Sequence, residues 1–355
     1  MNEYTYYLSA NTSSGYTSFF DEIMKSFKKI IVIKNANQNA KEKIFTKISN
    51  ILNENNISHH TIIRCGTANE VDCILIYELS LAITDEGLIT TQIPLYSDVI
   101  DITDVCNCDL SVKKQISIIN SKISCLKERM TSHLKEAKII HDNWEKIYIS
   151  NLDFNKINNE CDELICNLLE HVPDSSVEGE NTNRFFGTLL PRGNVNYIDE
   201  LTKNLNKRIF IKGRPGTGKS TILKKIAKAA TQKGLNTESY FCSLDVNSLD
   251  MLIVPKLGIS IFDSTPPHEK FPSLENDTVF DIYEIGKKIN IDDYYADELM
   301  IIQSQYNDEI KKAKECLYTA LALRGELNRL IDTDDVSVEN ITNKILLMSS
   351  IKKRL

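Results

Sequence analysis

The sequence predicts an α/β architecture of two tandem modules, each a parallel-sheet unit followed by a helical hairpin. Three observations lead there: a repeat spanning half of the 355 residues, a strand, glycine turn and helix over Arg208–Ala230, and a helical apolar period in the tail of each repeat.

The repeat keeps a single register. Lys41 and Lys219 stand 178 residues apart, and the same shift lays Lys34 on Lys212, so that IIVIK overlies RIFIK. Upstream it matches Gly15 with Gly193, Asp21 with Asp199 and Glu22 with Glu200; downstream it matches Asp72 with Asp250, Leu79 with Leu257 and Asp85 with Asp263. A turn lysine can recur by chance, but flanking blocks of polar and apolar positions in one register mark two copies of one module. The polar stretch PDSSVEGENTN, Pro173–Asn183, reads as the linker. The expected modules are residues 1–177, with its sheet over 1–108 and its helices over 110–172, and residues 178–355, with its sheet over 184–288 and its helices over 293–350.

Composition fits two domains that each bury a core, with 42% hydrophobic and 26% charged residues. The net charge of -7 argues against a surface that coats nucleic acid, although local basic patches stay open. Of nine cysteines only Cys106 and Cys108 are close in sequence, no metal-ligand spacing occurs, and reduced core thiols are expected. The N-terminus lacks a basic segment followed by an apolar run, and the most apolar stretch, Cys73–Ile83, is too short for a bilayer and contains Glu78. A cytoplasmic protein without membrane contact is the expectation.

In the second copy Gly213-Arg214-Pro215-Gly216-Thr217-Gly218-Lys219-Ser220 satisfies G-x-x-x-x-G-K-[ST] and continues into Thr221 and an amphipathic run. The glycines permit positive φ and bring backbone N–H groups to the positive end of that run, where phosphates bind. Lys219 is expected to meet the β- and γ-phosphates of ATP, and Ser220 to ligate Mg²⁺. A buried strand ending in an acid should follow, and LGISIFD, ending at Asp263, fits as the second Mg²⁺ residue. The next loop carries His268, which either orients water or is simply a solvated loop histidine. Asp245 and Asp250 are further candidates for activating water.

The first copy has lost this chemistry. Asn35, Gln38 and Ala40 replace the three glycines, Glu42 replaces Ser220, and Thr90 replaces His268. Side chains then fill the phosphate space, and Lys41 and Asp85 are expected to be a solvated lysine and a turn acid. This module is expected to fold without binding Mg-nucleotide tightly and to act as a built-in partner.

Beyond each sheet region the apolar period turns helical: Ile116, Ile119, Ile123, Leu126, Met130 and Leu134 in the first copy, and Leu299, Ile302, Tyr306, Ile310 and Ala313 in the second. Shorter helices are expected over Phe154–Leu169 and Val338–Ser349, folding back as hairpins that offer a surface to a protein partner. The terminal Lys352-Lys353-Arg354 reads as a solvated end.

The second copy resembles the P-loop NTPase superfamily. The pairing of FIKGRPGTGKST, NSLDMLIVP and IFDSTPPHEKFP in that order is similar to a bacterial family of tandem P-loop ATP-binding proteins of unassigned role. The resemblance covers essentially the whole chain, with specificity for chemistry confined to the loop and the Asp263 strand. It implies a parallel-sheet α/β fold with ATP as ligand. Relatives can keep glycines in the first loop; this chain does not. No arginine lies between Arg214 and Arg324, which weakens a kinase with an arginine lid, and neither a guanine-reading N-K-x-D nor a glycine-rich ABC signature follows the loop. ATP hydrolysis coupled to conformational change remains, with Arg214, Arg324 or Arg64 as charge stabilisers. The rivals are a nucleotide switch with negligible turnover and a small-molecule kinase.

Overall fold

The computed structural model describes residues 4–102, 110–330, 335–349 and 351; Cys106, Cys108 and the basic end at Lys352-Lys353-Arg354 lie outside the described residues. The first half runs β1 (Tyr4–Tyr7), β2 (Ser9–Thr12), β3 (Gly15–Ser18), α1 (Phe20–Ile23), β4 (Lys29–Lys34), α2 (Gln38–Glu54), β5 (His60–Ile63), β6 (Val71–Ile76), β7 (Leu81–Asp85), β8 (Asp98–Asp101), α3 (Leu110–Ile149) and α4 (Phe154–Leu169). The second half runs β9 (Asn181–Phe185), β10 (Gly187–Leu190), β11 (Gly193–Asn196), α5 (Ile198–Thr202), β12 (Lys207–Lys212), α6 (Lys219–Gln232), β13 (Thr237–Phe241), β14 (Leu249–Val254), β15 (Ile259–Asp263), β16 (Thr278–Asp281), α7 (Ile282–Gly286), α8 (Ile291–Tyr294), α9 (Ala296–Leu330) and α10 (Asp335–Met348).

Twelve strands form one sheet in the order β16-β12-β15-β14-β13-β9-β1-β5-β6-β7-β4-β8, in which the second six repeat the first six in reverse. At the centre β1 and β9 pair antiparallel through Tyr7 and Phe185, which occupy the same position of the repeat. A local two-fold therefore relates the halves. The glycine-loop strand β12 lies between β15 and β16, parallel to both, as β4 lies between β7 and β8.

The expectation of purely parallel sheets is corrected. β14 runs antiparallel to both β13 and β15, and β6 to both β5 and β7. The connectors at 242–248 and 255–258 are too short for the crossover that a parallel pair needs.

One apolar core is shared by the halves, with Tyr6, Tyr7, Phe20 and Ile62 packed together with Phe185, Phe210, Tyr240 and Phe262. The opposite faces of the sheet have separate cores, and these overturn the helical hairpins. α3 pairs with α9, burying Met130 and Leu134 against Ala313, Cys316 and Leu317, and Ile119 and Ile123 against Ala320. α4 places Ile157, Cys161 and Leu169 in the second half's core beside Ile222, Leu223 and Ile282. Reciprocally, α10 places Val338, Ile345 and Leu346 beside Ile44, Phe45 and Ile48 of α2. Each fully buried side chain of this kind contributes roughly 1.5–3 kcal/mol, so each half lends the other a substantial share of its core. The expected boundary between 177 and 178 separates the two sets of strands, while the helices on either side of it are exchanged.

Candidate functional site at the second glycine loop

Strand β12 ends at Lys212 and α6 begins at Lys219, so residues 213–218 form the turn between a central strand and a helix N-terminus. Gly216 and Gly218 have φ of 74° and 94°, a region that L side chains rarely adopt. Gly213 serves proximity instead, since a Cβ there would sit 2.6 Å from Thr217 Oγ1. The Arg214 carbonyl accepts hydrogen bonds from Thr217 Oγ1 at 2.8 Å and Lys219 Nζ at 2.9 Å, which folds the lysine back over the loop. Ser220 Oγ accepts from Leu249 N–H at 2.9 Å. Thr217 is buried, Thr221 exposed, and half-buried Pro215 lies in the turn.

Register brings the acids to the same place. β15 is parallel to β12, so Asp263 ends its strand beside Ile211, and Lys219 Nζ lies 3.6 Å from its carboxylate. Asp263 Oδ1 also accepts from Thr265 N–H and Oγ1. β14 is antiparallel to β15, with Met251 opposite Phe262, which sets Asp250 next to Asp263 across the ladder. Burial, reinforced by the Asp263 charge, pushes the Asp250 carboxyl up to about 7. Two carboxylates and a serine hydroxyl form an all-oxygen donor set suited to a hard divalent cation such as Mg²⁺.

His268 is 9% exposed, packs edge-on against Phe186, and leaves Nδ1 without a hydrogen-bond partner among the described residues. The solvated-loop reading is therefore wrong: the Thr265–His268 turn folds the ring inward. Burial pulls its pKa down to about 4, against the opposing charge of Asp263, so the ring is neutral at pH 7.

Sequence reasoning missed what α3 adds. Its C-terminal end lies on the loop, where a Cβ on Gly216 would meet the Glu145 carbonyl oxygen at 2.7 Å. Burial raises the Glu145 carboxyl, while Lys138 and the Gly216 N–H draw it down. Lys138 pairs with Asp142 and, at 3.3 Å, with Asp245. His141, Asp142 and Glu145 converge near the loop, and burial followed by the Lys138 charge lowers His141. The amphipathic period marks this segment as helix and gives no sign of which half it serves.

The arginines named as charge stabilisers lie elsewhere or are engaged. Arg214 is held by Asp292 at 2.9 Å, while Arg64 and Arg324 line a cavity in the first half. There the repeat preserves the acids but not their surroundings. Asn35 holds φ of 57° and Asn37 caps α2. Lys41 is buried and ion-paired with buried Asp85, and Arg64 is ion-paired with Asp72, 2 residues into β6, and lies 3.5 Å from Asp85. The expected solvated lysine and turn acid are thus an internal charge network. Its signal was present in the repeat: Arg64 stands where the second copy has Cys242, beside two retained acids.

Comparison with protein-family models, curated proteins and solved structures returns no match. Among the described residues no helix is long and apolar enough to cross a membrane.

Proposed function

We propose that the second half is a P-loop NTPase-like unit that binds and hydrolyses Mg-ATP, and that the first half is its nucleotide-incompetent companion. The observation that carries this reading is the convergence of Lys219, Ser220, Asp263 and Asp250 beside a glycine turn at a helix N-terminus. Backbone N–H groups of the loop and the α6 terminus would hold the phosphates, and Lys219 would leave the Arg214 carbonyl to pair with the β- and γ-oxygens. Ser220 and Asp263, with Asp250 beside them, would hold Mg²⁺, which when bound neutralises charge on the phosphates. Neutral His268, whose Nδ1 has no partner among the described residues, is suited to orient water by a hydrogen bond.

Coupling to conformation follows from Glu145. A phosphate entering at Gly216 competes with that carboxylate and presses on α3, whose antiparallel partner α9 extends back to the first half. The same contact favours a second reading, a switch in which ATP displaces α3 with negligible turnover. A kinase reading gains no lid: Arg214 is tied to Asp292.

The test is Mg-dependent release of phosphate from ATP and GTP by the full chain. ATP turnover lost in Lys219→Ala supports hydrolysis. Tight ATP binding without release would sink it in favour of the switch.

A further inference from the structure

The cavity in the first half occupies about 260 Å³ where the ends of β5 and β7 meet α3 and α9. Liquid water takes about 30 Å³ per molecule, so the space suits several waters or one small polyatomic anion. Three cations from three separate segments line it: Arg64 after β5, Lys127 of α3 and Arg324 of α9.

The acids nearby are already engaged. Asp72 pairs with Arg64, Asp85 with Lys41, and Glu70 lies between Arg64 at 3.7 Å and Arg324 at 3.4 Å. Lys127 has no ion pair or hydrogen bond among the described residues. Burial and then the Arg64 charge pull Arg324 down. The cations repel one another around a shared space, and a bound anion would relieve that repulsion. At the matching positions of the second copy Cys242 replaces Arg64 and Gln305 replaces Lys127, so this charge pattern is not repeated there.

An arginine fork beside a lysine point charge suits the oxygens of a phosphoryl dianion. Arg324 and Leu321 also border a larger groove of about 1020 Å³, lined further by Gly66, Arg192, Lys314 and Tyr318. We propose that the cavity between the first half and α9 binds a phosphoryl dianion through Lys127 and Arg324, either free phosphate or the end of a phosphomonoester whose body runs past Leu321 into this groove. The site does not depend on ATP binding in the second half.

The test is calorimetric titration of inorganic phosphate and of phenyl phosphate into the full chain carrying Lys219→Ala, which removes phosphate held at the glycine loop. One saturable site is expected, abolished by Lys127→Glu, weakened about tenfold or more by Arg324→Ala, and retained by Lys127→Arg. Lys127 lies on an exposed helix surface, so its variants should fold as the parent does, and a melting curve checks this. Tighter binding of phenyl phosphate would assign the groove to a monoester body, and equal affinities would assign the site to phosphate itself. Absence of binding by the Lys219→Ala chain, or binding unchanged by Lys127→Glu, would overturn the proposal.

Discussion

The two halves share a backbone plan yet treat the same acids in opposite ways. In the first, Asp72 and Asp85 are neutralised from within, by Arg64 and Lys41. In the second, Asp263 lies 3.6 Å from Lys219, which is folded onto the Arg214 carbonyl, Asp250 sits beside Asp263, and Cys242 supplies no charge. A fold that keeps two carboxylates side by side must balance them, either with its own side chains or with a proton or cation from solution. The first half has taken the former course, and on our proposal the second has kept the latter.

The largest expected difference between the halves is in turnover. Removing the Lys219 charge from the phosphates should lower ATP hydrolysis at least about a hundredfold, in line with the loss of a single transition-state charge contact. Lys41→Ala should leave turnover near the parent's and instead lower stability by about 3–5 kcal/mol in denaturant melts, because it strands the buried Asp85 carboxylate. Equal loss of turnover in both variants would break the comparison.

Arg64→Cys makes the first half imitate the second. It should destabilise the fold by a similar amount, about 3–5 kcal/mol, and make Mg²⁺ raise thermal stability by more than it does in the parent. Gly216→Ala should cost about 1–3 kcal/mol and disturb the seat of α3, since the residue has φ of 74° and abuts Glu145. The melt should be read beside ATP affinity, which falls if the loop geometry matters.

The pH dependence sharpens the comparison further. The folded Asp250 carboxyl, with its pKa near 7, holds a proton that the unfolded chain releases near 3.8. Stability from this group is therefore present at low pH and is lost as pH rises between these values. Asp250→Asn should flatten that portion of the curve. Saturating Mg²⁺ should move the parent's midpoint below 7, as a cation at the two carboxylates favours the ionised form. The smallest effect is expected at Thr221, exposed on the first turn of α6, where alanine should change stability by no more than about 0.5 kcal/mol.

Much of the strand plan was legible because the repeat carries it. β4 and β12, β6 and β14, and β7 and β15 begin and end at matching positions, and left-handed Ser80 corresponds to left-handed Gly258. The glycine loop and Asp263 could be read for the same reason, from spacing along neighbouring strands. The helix exchange could not. Ile157, Cys161 and Leu169 show that α4 needs an apolar surface, but both halves offer an equivalent one. A 40-residue α3 is about 60 Å long, which carries α4 away from its own half. The burial of Lys41 and His268 was equally hidden, because a lysine or histidine in a turn is judged solvated until the packing above it is known. Glu145 comes from more than 60 residues before the loop that it touches, and nothing local points to it.

The most direct measurement of the central claim is the stoichiometry of Mg-ATP bound by the purified chain at equilibrium, with Lys219→Ala and Lys41→Ala measured beside it. The account predicts one ATP per chain, none in Lys219→Ala and one in Lys41→Ala. Two per chain, or binding that survives Lys219→Ala and disappears in Lys41→Ala, would contradict it.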